Sequence, residues 1–256
     1  MKTQKLLSLL RQACERYEMI QEGDRIAVGV SGGKDSLTLL YGLKELSRFY
    51  RQHFTVTAIC VDLGYENTDF SGIQEYCENL GVELSLIHTQ IGQIVMEERK
   101  EHNPCSLCAK LRKGALVEEA VRLGCNVIAY AHHKDDFVET MLLSMLYQGQ
   151  FYAFPPVTWF EDKGIRVIRP LMYVEEGQVK GFIKRNGIGI LKSPCPVDGT
   201  TRRAYVKELL SRIGLEIPGA KERMFHAIVT GNIYDWVDPQ QIKNGSVPSD
   251  GHRSQE

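Results

Sequence analysis

Arg25-Ile26-Ala27-Val28-Gly29-Val30-Ser31-Gly32-Gly33-Lys34-Asp35-Ser36-Leu37-Thr38-Leu39-Leu40-Tyr41 decides how this chain is read. An apolar run of strand character, Ile26–Val30, meets a glycine turn, and a helix-forming segment follows from Asp35. Paired glycines let the backbone approach an anion closely, and open N–H groups at a helix N-terminus hold fixed positive potential. Lys34 adds a mobile cation, Ser31 and Ser36 add hydroxyls, and Asp35 offers hard oxygen ligands for Mg²⁺. The stretch therefore reads as a polyphosphate cradle. It is not a Walker A loop, which needs Gly where Val28 stands and Ser or Thr where Asp35 stands. Nor is it a dinucleotide fingerprint, because Ser31 occupies the place of the second glycine.

Outward from the loop, strand and helix patterns alternate. A helix at 3–17 precedes strand 25–30 and helix 35–48; strand 54–61 leads to helix 70–80, opened by Asp69 and closed by Gly81. Strand 83–88 is followed by a polar helical stretch at 93–102, then helix 107–123, strand 126–131 and helix 135–148. Residues 149–163, with Pro155 and Pro156, read as a loop; a short strand at 165–168 precedes helices at 175–186, 203–213 and 218–229. Short apolar strands separated by helices predict an α/β fold, a doubly wound parallel sheet covered on both faces. The divisions expected are an N-terminal helix (1–20), an α/β domain carrying a cysteine-bearing helix (21–174), a basic helical C-terminal region (175–240) and a disordered tail (241–256).

The 256 residues suffice for one sizeable core, and no apolar run approaches the roughly 18–20 residues a membrane span needs. Seven cysteines without a secretory feature point to reduced thiols and a cytoplasmic location. A net charge of −1 hides an asymmetry: residues 62–101 hold nine acidic against two basic side chains, whereas 163–212 hold eleven Lys/Arg against four Asp/Glu. A basic half of this kind suits nucleic acid held on one surface, with Arg202 and Arg203, and Lys184, Arg185 and Lys207 nearby, as candidate phosphate contacts; solvated helix faces are the alternative.

Two further constellations carry chemistry. Cys105-Ser106-Leu107-Cys108 opens a helix, where dipole potential favours the thiolate that binds metal or attacks sulfur. Zinc, iron–sulfur, redox disulfide and coincidence all remain open for such a pair, and Cys195 in a proline-bounded loop is a further thiol. Cys14, Cys60, Cys77 and Cys125 read as packing residues. Ala131-His132-His133-Lys134-Asp135-Asp136 follows a strand and so faces the crevice where open α/β sheets bind ligands. Adjacent histidines diverge and rarely chelate one ion; one of Asp135 and Asp136 caps the next helix, and the other is the candidate for Mg²⁺ or substrate positioning.

Ser31–Ser36 after a strand resembles the PP-loop of the ATP pyrophosphatases, which implies ATP cleaved to AMP and pyrophosphate. From about residue 21 to 212 the chain resembles the tRNA 2-thiolation enzymes of the TtcA/TtuA group, nearest the 2-thiocytidine branch. The match adds Cys-Ser-Leu-Cys with Lys-Leu-Arg-Lys-Gly at 105–114, Ala-His-His-Lys-Asp-Asp at 131–136, Phe-Pro-Pro at 154–156, Ile-Arg-Pro-Leu at 168–171 and Pro-Cys at 194–195. That resemblance implies a PP-loop fold, related to the adenine nucleotide alpha hydrolases, with a helical C-terminal extension. It implies a [4Fe–4S] cluster on Cys105, Cys108 and Cys195 with one iron lacking a protein ligand. Lys34, Asp35, Arg112, Asp135 and Asp136 would be catalytic; Ser31, Gly32, Gly33, Lys34, Asp35, Ser36, Asp62 and His132 would hold ATP with Mg²⁺. The implied partners are tRNA and a sulfur donor, either sulfide or a cysteine desulfurase persulfide; homodimerisation is left open. The chain departs from the group in three respects: Cys195-Pro196-Val197-Asp198 replaces a second C-x-x-C, leaving Asp198 as a conceivable fourth cluster ligand; Asp62-Leu63-Gly64-Tyr65 differs where adenine is expected; and the terminal Cys/His pairs of the 2-thiouridine branch are missing. A 2-thiouridine enzyme, a cluster-free ligase of the lysidine synthetase type and a dithiol redox sensor stand as alternatives.

Overall fold

The computed structural model describes residues 1–66, 68–95, 104–191 and 202–231. Six strands among them form one sheet: β1 (Asp24–Gly29), β2 (Phe54–Asp62), β3 (Leu84–His88), β4 (Val127–Ala129), β5 (Val157–Phe160) and β6 (Ile165–Ile168). Their spatial order is β3-β2-β1-β4-β6-β5, parallel throughout except for β5, which runs antiparallel to β6 at the edge. Parallel neighbours require long crossovers, and helices supply them. After α1 (Thr3–Arg16), α2 (Lys34–Leu46) links β1 to β2 and α3 (Ser71–Leu80) links β2 to β3; the short α4 (Ile91–Gln93) and long α5 (Pro104–Arg122) lead to β4. Then α6 (Lys134–Gln148) follows β4, and α7 (Glu176–Asn186), α8 (Arg202–Glu216) and α9 (Ala220–Thr230) close the described chain.

The period of two in β1 divides the core. Ile26 and Val28 join a large apolar cluster with Leu37, Leu40 and Leu43 of α2, whereas Ala27 joins Ile59, Ile128 and Val167 beneath Leu116 and Ala120 of α5. Because both faces are covered, β1 reads as an almost unbroken apolar run. In α1, Leu6, Leu10 and Ala13 follow helical spacing and are all fully buried. Gly42 on α2 accommodates this helix: a Cβ there would lie 2.5 Å from Leu10 Cδ2. Val179 of α7, Phe182 of α7, Val206 of α8 and Ile228 of α9 enter the same large cluster.

At the opposite edge of the sheet from the phosphate loop, Asp24 is buried and tied to Arg166, to Asn126 Nδ2 (2.8 Å) and to the Gln21 N–H (2.7 Å). This fastens the starts of β1, β4 and β6 together. Such a pair adds little net stability, but losing one partner would strand a buried charge at a cost of about 3–5 kcal/mol.

Three expectations are amended. The segment 149–163, read as a loop from its proline pair, contains β5 and a 3₁₀ turn at Glu161–Lys163. Val157–Phe160 has strand residues, and its edge position tolerates the adjacent prolines, which cannot donate to a ladder. The sheet is consequently not wholly parallel. Helix α5 starts at Pro104 rather than 107, since proline suits a first helical position. The helical stretch expected at 93–102 is described only up to residue 95, and the expected disordered tail lies outside the described residues.

Candidate functional site

Strands β1, β2 and β4 run parallel, so their C-terminal ends bring residues 30–36, Asp62 and residues 130–136 to one edge of the sheet. Within the loop, the Ser31 N–H donates to Ser36 Oγ (3.2 Å), and Ser36 Oγ donates to the Gly33 carbonyl (2.9 Å). Gly33 is the N-cap of α2 and no side chain among the described residues caps it, which leaves this helix start available to an anion. Gly32 sits at φ +75°, and a Cβ there would stand 2.6 Å from Leu191 Cβ and 2.9 Å from Ile73 Cδ1. Only glycine meets both demands. The Leu191 N–H also donates to the Gly32 carbonyl (2.9 Å), seating the end of that described segment on the loop.

Lys34 Nζ contacts Asp35 Oδ2 at 2.8 Å and Glu176 Oε1 at 3.2 Å. Burial alone would depress its pKa, but the hydrogen bond and charge of Asp35, followed by Glu176, more than offset this and leave it raised. From Glu176 the contacts continue to Lys207 (3.0 Å), then Glu139 (4.0 Å), Arg203 (3.1 Å) and Asp136 (3.3 Å). Asp136 Oδ2 lies 3.2 Å from His133 Nδ1, and His133 Nε2 lies 3.7 Å from Asp35 Oδ1. These ionisable groups thus form a closed ring that begins and ends at the phosphate loop. Although burial opposes its ionisation, Glu176 is drawn down to about 2 by Lys207 and Lys34. Asp136 and Glu139 are raised, in each case chiefly by burial.

Of Asp135 and Asp136, one of which was expected to cap the helix, Asp136 takes part in the cap. His133 is the N-cap of α6, and Asp136 Oδ2 accepts the His133 N–H (2.8 Å). Asp135 serves a different helix: Oδ2 accepts the Glu176 N–H at the start of α7 (2.8 Å), and Oδ1 pairs with Lys221 (2.6 Å). Both carboxylates are engaged. Asp35 Oδ1, by contrast, is a buried oxygen with no hydrogen-bond donor among the described residues, a fit for a hard cation such as Mg²⁺. Asp62 shapes the turn after β2, accepting the Gly64 N–H (2.8 Å) and pairing with His88 (2.9 Å).

Beside the loop lies a cavity of about 740 Å³. Val30 and Ser31 form one wall; Cys105, Cys108 and Arg112 of α5 form another; Tyr130, His132 and Arg169 stand beyond the ends of β4 and β6. Cys105 is exposed and Cys108 half-buried. Spaced by three on the first turn of α5, the two thiols share a face near the positive helix end. Two soft donors so placed fit iron–sulfur ligation. Cys195 lies outside the described residues, as does Asp198, so their expected convergence with this pair falls there too. Among the described residues, no three His, Cys, Asp or Glu side chains gather as a metal site. Cys14, Cys60, Cys77 and Cys125 are buried, as expected of packing residues; burial pushes the Cys60 thiol up to about 12 and Cys77 to about 11.

His132 stacks on Phe154 with ring centroids 4.2 Å apart, and burial is the first cause that lowers its pKa to about 3, so the imidazole is neutral. Arg203, expected at the surface to meet phosphate, instead donates to Glu139 (3.1 Å) and Asp136 (3.3 Å); Arg202 remains exposed over the Tyr147 ring at 4.8 Å. Sequence reading assigned no role to Glu139, Glu176, Tyr130 or Arg169. A signal existed for two of them: Glu139 interrupts the apolar run of α6, and Arg169 directly follows a fully buried strand.

Comparison with known proteins bears on these features. Residues 2–213 match the family model described as the PP-loop domain. The chain is 39% identical over 220 residues to a tRNA-cytidine(32) 2-sulfurtransferase of Pelobacter propionicus, covering 85% of this chain and 82% of that one. It is 37% identical over 232 residues to the protein of the same name in Geobacter sulfurreducens, covering 90% of each. The U34-tRNA thiolase NcsA from Methanococcus maripaludis, solved with its [4Fe-4S] cluster, shares the fold at a TM-score of 0.70 and 23% identity, over 88% of this chain and 76% of that one.

Proposed function

Since this chain belongs to the PP-loop family, we propose that it is an ATP-dependent tRNA sulfurtransferase that replaces the C2 oxygen of a cytidine with sulfur, at position 32 as its relatives' names specify. The observation that carries this reading is the shared cavity: Cys105, Cys108 and Arg112 line the same space as Val30 and Ser31 at the start of the phosphate loop. A base in that space reaches both a nucleotide on the loop and a sulfur held by α5.

Ser31, Gly32, Gly33 and Ser36, with the uncapped start of α2, hold the polyphosphate, and Lys34 offsets charge on the departing pyrophosphate. Asp35 Oδ1 would hold Mg²⁺ and Asp62 would border the adenosine side, while Asp135 and Asp136 hold α6, α7 and the loop in register. The cytidine C2 oxygen attacks the α-phosphorus as the bond to pyrophosphate breaks. Sulfur then adds at C2, and AMP leaves with the former C2 oxygen. Arg112 neutralises negative charge on the incoming sulfur. A cluster held by Cys105, Cys108 and Cys195 supplies, when bound, an iron with an open position for sulfide. The setting is the cytoplasm, with tRNA as substrate and sulfide or a persulfide as donor.

The test is anaerobic reconstitution followed by nucleoside mass spectrometry of tRNA. Near-stoichiometric iron and acid-labile sulfide for one cluster, and ATP-dependent 2-thiocytidine, are expected. Cys195→Ala should abolish thiolation yet retain ATP binding; normal thiolation by that variant contradicts the cluster assignment.

A further inference from the structure

Three buried polar side-chain atoms with no hydrogen-bond partner among the described residues belong to residues lining the cysteine cavity: Tyr130 Oη, His132 Nδ1 and Arg169 Nε. Buried polar groups are nearly always paired, because leaving one unpaired costs about 1–3 kcal/mol. Three residues with such atoms line one cavity, which points to polar partners that a ligand there supplies. Their placement follows from the strands: Tyr130 and His132 lie two apart on the extension of β4, and Arg169 follows β6, its parallel neighbour.

Arg169 is only 8% exposed, and its recorded bonds are to the Pro155 carbonyl (2.6 Å) and Thr158 Oγ1 (3.1 Å), with no carboxylate in contact among the described residues. Burial lowers its pKa to about 10, which still leaves it charged at neutral pH. A guanidinium only donates, so its missing partner must be an acceptor. His132, neutral, has one ring nitrogen able to accept. The Phe154 ring lies 4.2 Å from the His132 ring and 5.4 Å from the Arg169 guanidinium, which fixes both heads. Tyr152, at the rim, offers an aromatic face to an unstacked base.

We propose that Tyr130, His132 and Arg169 read the Watson–Crick edge of the extruded base and select cytosine over uracil, an inference that rests on the thiolation reading. Cytosine presents an unprotonated N3 to Arg169 and an amino group to the accepting nitrogen of His132, with Tyr130 as adaptable donor or acceptor. Uracil reverses both positions: N3–H opposes a donor, and O4 opposes an acceptor. A site that leaves buried polar groups mismatched rejects the wrong ligand far more strongly than a merely apolar one.

The experiment compares two tRNA transcripts differing only by C or U at the target position, with saturating ATP and Mg²⁺. Wild type should prefer the cytidine transcript by at least about 100-fold in kcat/KM. Arg169→Gln, whose amide also accepts, should cut that preference at least about tenfold while Kd for ATP and for tRNA stays within about twofold. Tyr130→Phe should lower kcat/KM for the cytidine transcript about tenfold without lowering the melting temperature of the free protein, since it deletes an unpaired buried hydroxyl. Active variants that keep the wild-type preference overturn this inference alone, as does a Tyr130→Phe protein that loses activity only through lowered stability. A wild type that thiolates neither transcript overturns the thiolation reading and this inference with it.

Discussion

Glu176→Gln should weaken the fold and tighten ATP binding together, and the opposition of those signs is what the site geometry demands. In the free protein this carboxylate bridges Lys34 at 3.2 Å and Lys207 at 3.0 Å, with Lys180 at 3.3 Å. At an effective dielectric constant of about 40–80, suited to partly exposed groups, one such contact is worth about 1–3 kcal/mol; side-chain ordering reduces the net to about 1–2 kcal/mol. A polyphosphate must draw Lys34 from Glu176, so removing the carboxylate returns that energy as roughly 5- to 30-fold tighter binding. Titration calorimetry with ATP and Mg²⁺ reads this directly. Urea unfolding at pH 7 should show a loss of about 1–2 kcal/mol for the variant. The pH dependence has a fixed sign: Glu176 is held at about 2 against an ordinary 4.5, so its contribution is complete above pH 4.5 and fades as pH falls toward 2. The stability gap between wild type and variant should therefore close across that window. Unchanged or weaker ATP binding by Glu176→Gln would refute the reasoning.

Leu10→Ala, which empties a fully buried position against Gly42, should cost about 2–5 kcal/mol in urea unfolding. Arg202→Ala should weaken tRNA binding and reduce the slope of log K against log salt by about one, whereas Arg203→Ala should destabilise the protein by about 1–3 kcal/mol by leaving Glu139 with less compensation. In a cluster-free sample, iodoacetamide should modify Cys105 before any of Cys14, Cys60, Cys77 and Cys125, as mapped by peptide mass spectrometry, because those four are buried and protonated.

Much of this architecture was legible from local chemistry. The loop at 31–36 announced itself because its function is carried by backbone and neighbouring side chains, all contiguous in sequence. Helix α3 ended at Gly81, whose φ of +65° is the left-handed cap that glycine supplies. Strand β5 was obscured because Pro155 and Pro156 signal a turn, while its pairing with β6 is a tertiary contact that no local pattern reports. The partner of Asp135 was hidden for a similar reason: sequence leaves open which of two adjacent acidic residues caps the helix, and the Glu176 N–H that Asp135 accepts lies 41 positions along. Arg203 looked like an exposed phosphate contact because charge counts along a chain do not say which carboxylates fold against it. Long-range polar pairing is set by packing rather than by neighbours.

The ring of paired ionisable side chains around the phosphate loop has a consequence for how a nucleotide is received. Each lysine and arginine in it (Lys34, Lys207 and Arg203) already faces a carboxylate. An arriving polyanion therefore finds no idle cation in that circle; Lys34 exchanges one anionic neighbour for another, and local neutrality is restored only by the backbone dipoles of α2 and by whatever positive ion the nucleotide brings. Magnesium, on this view, enters as the missing half of the charge balance, and a nucleotide stripped of it should meet a loop whose own electrostatics offer little welcome.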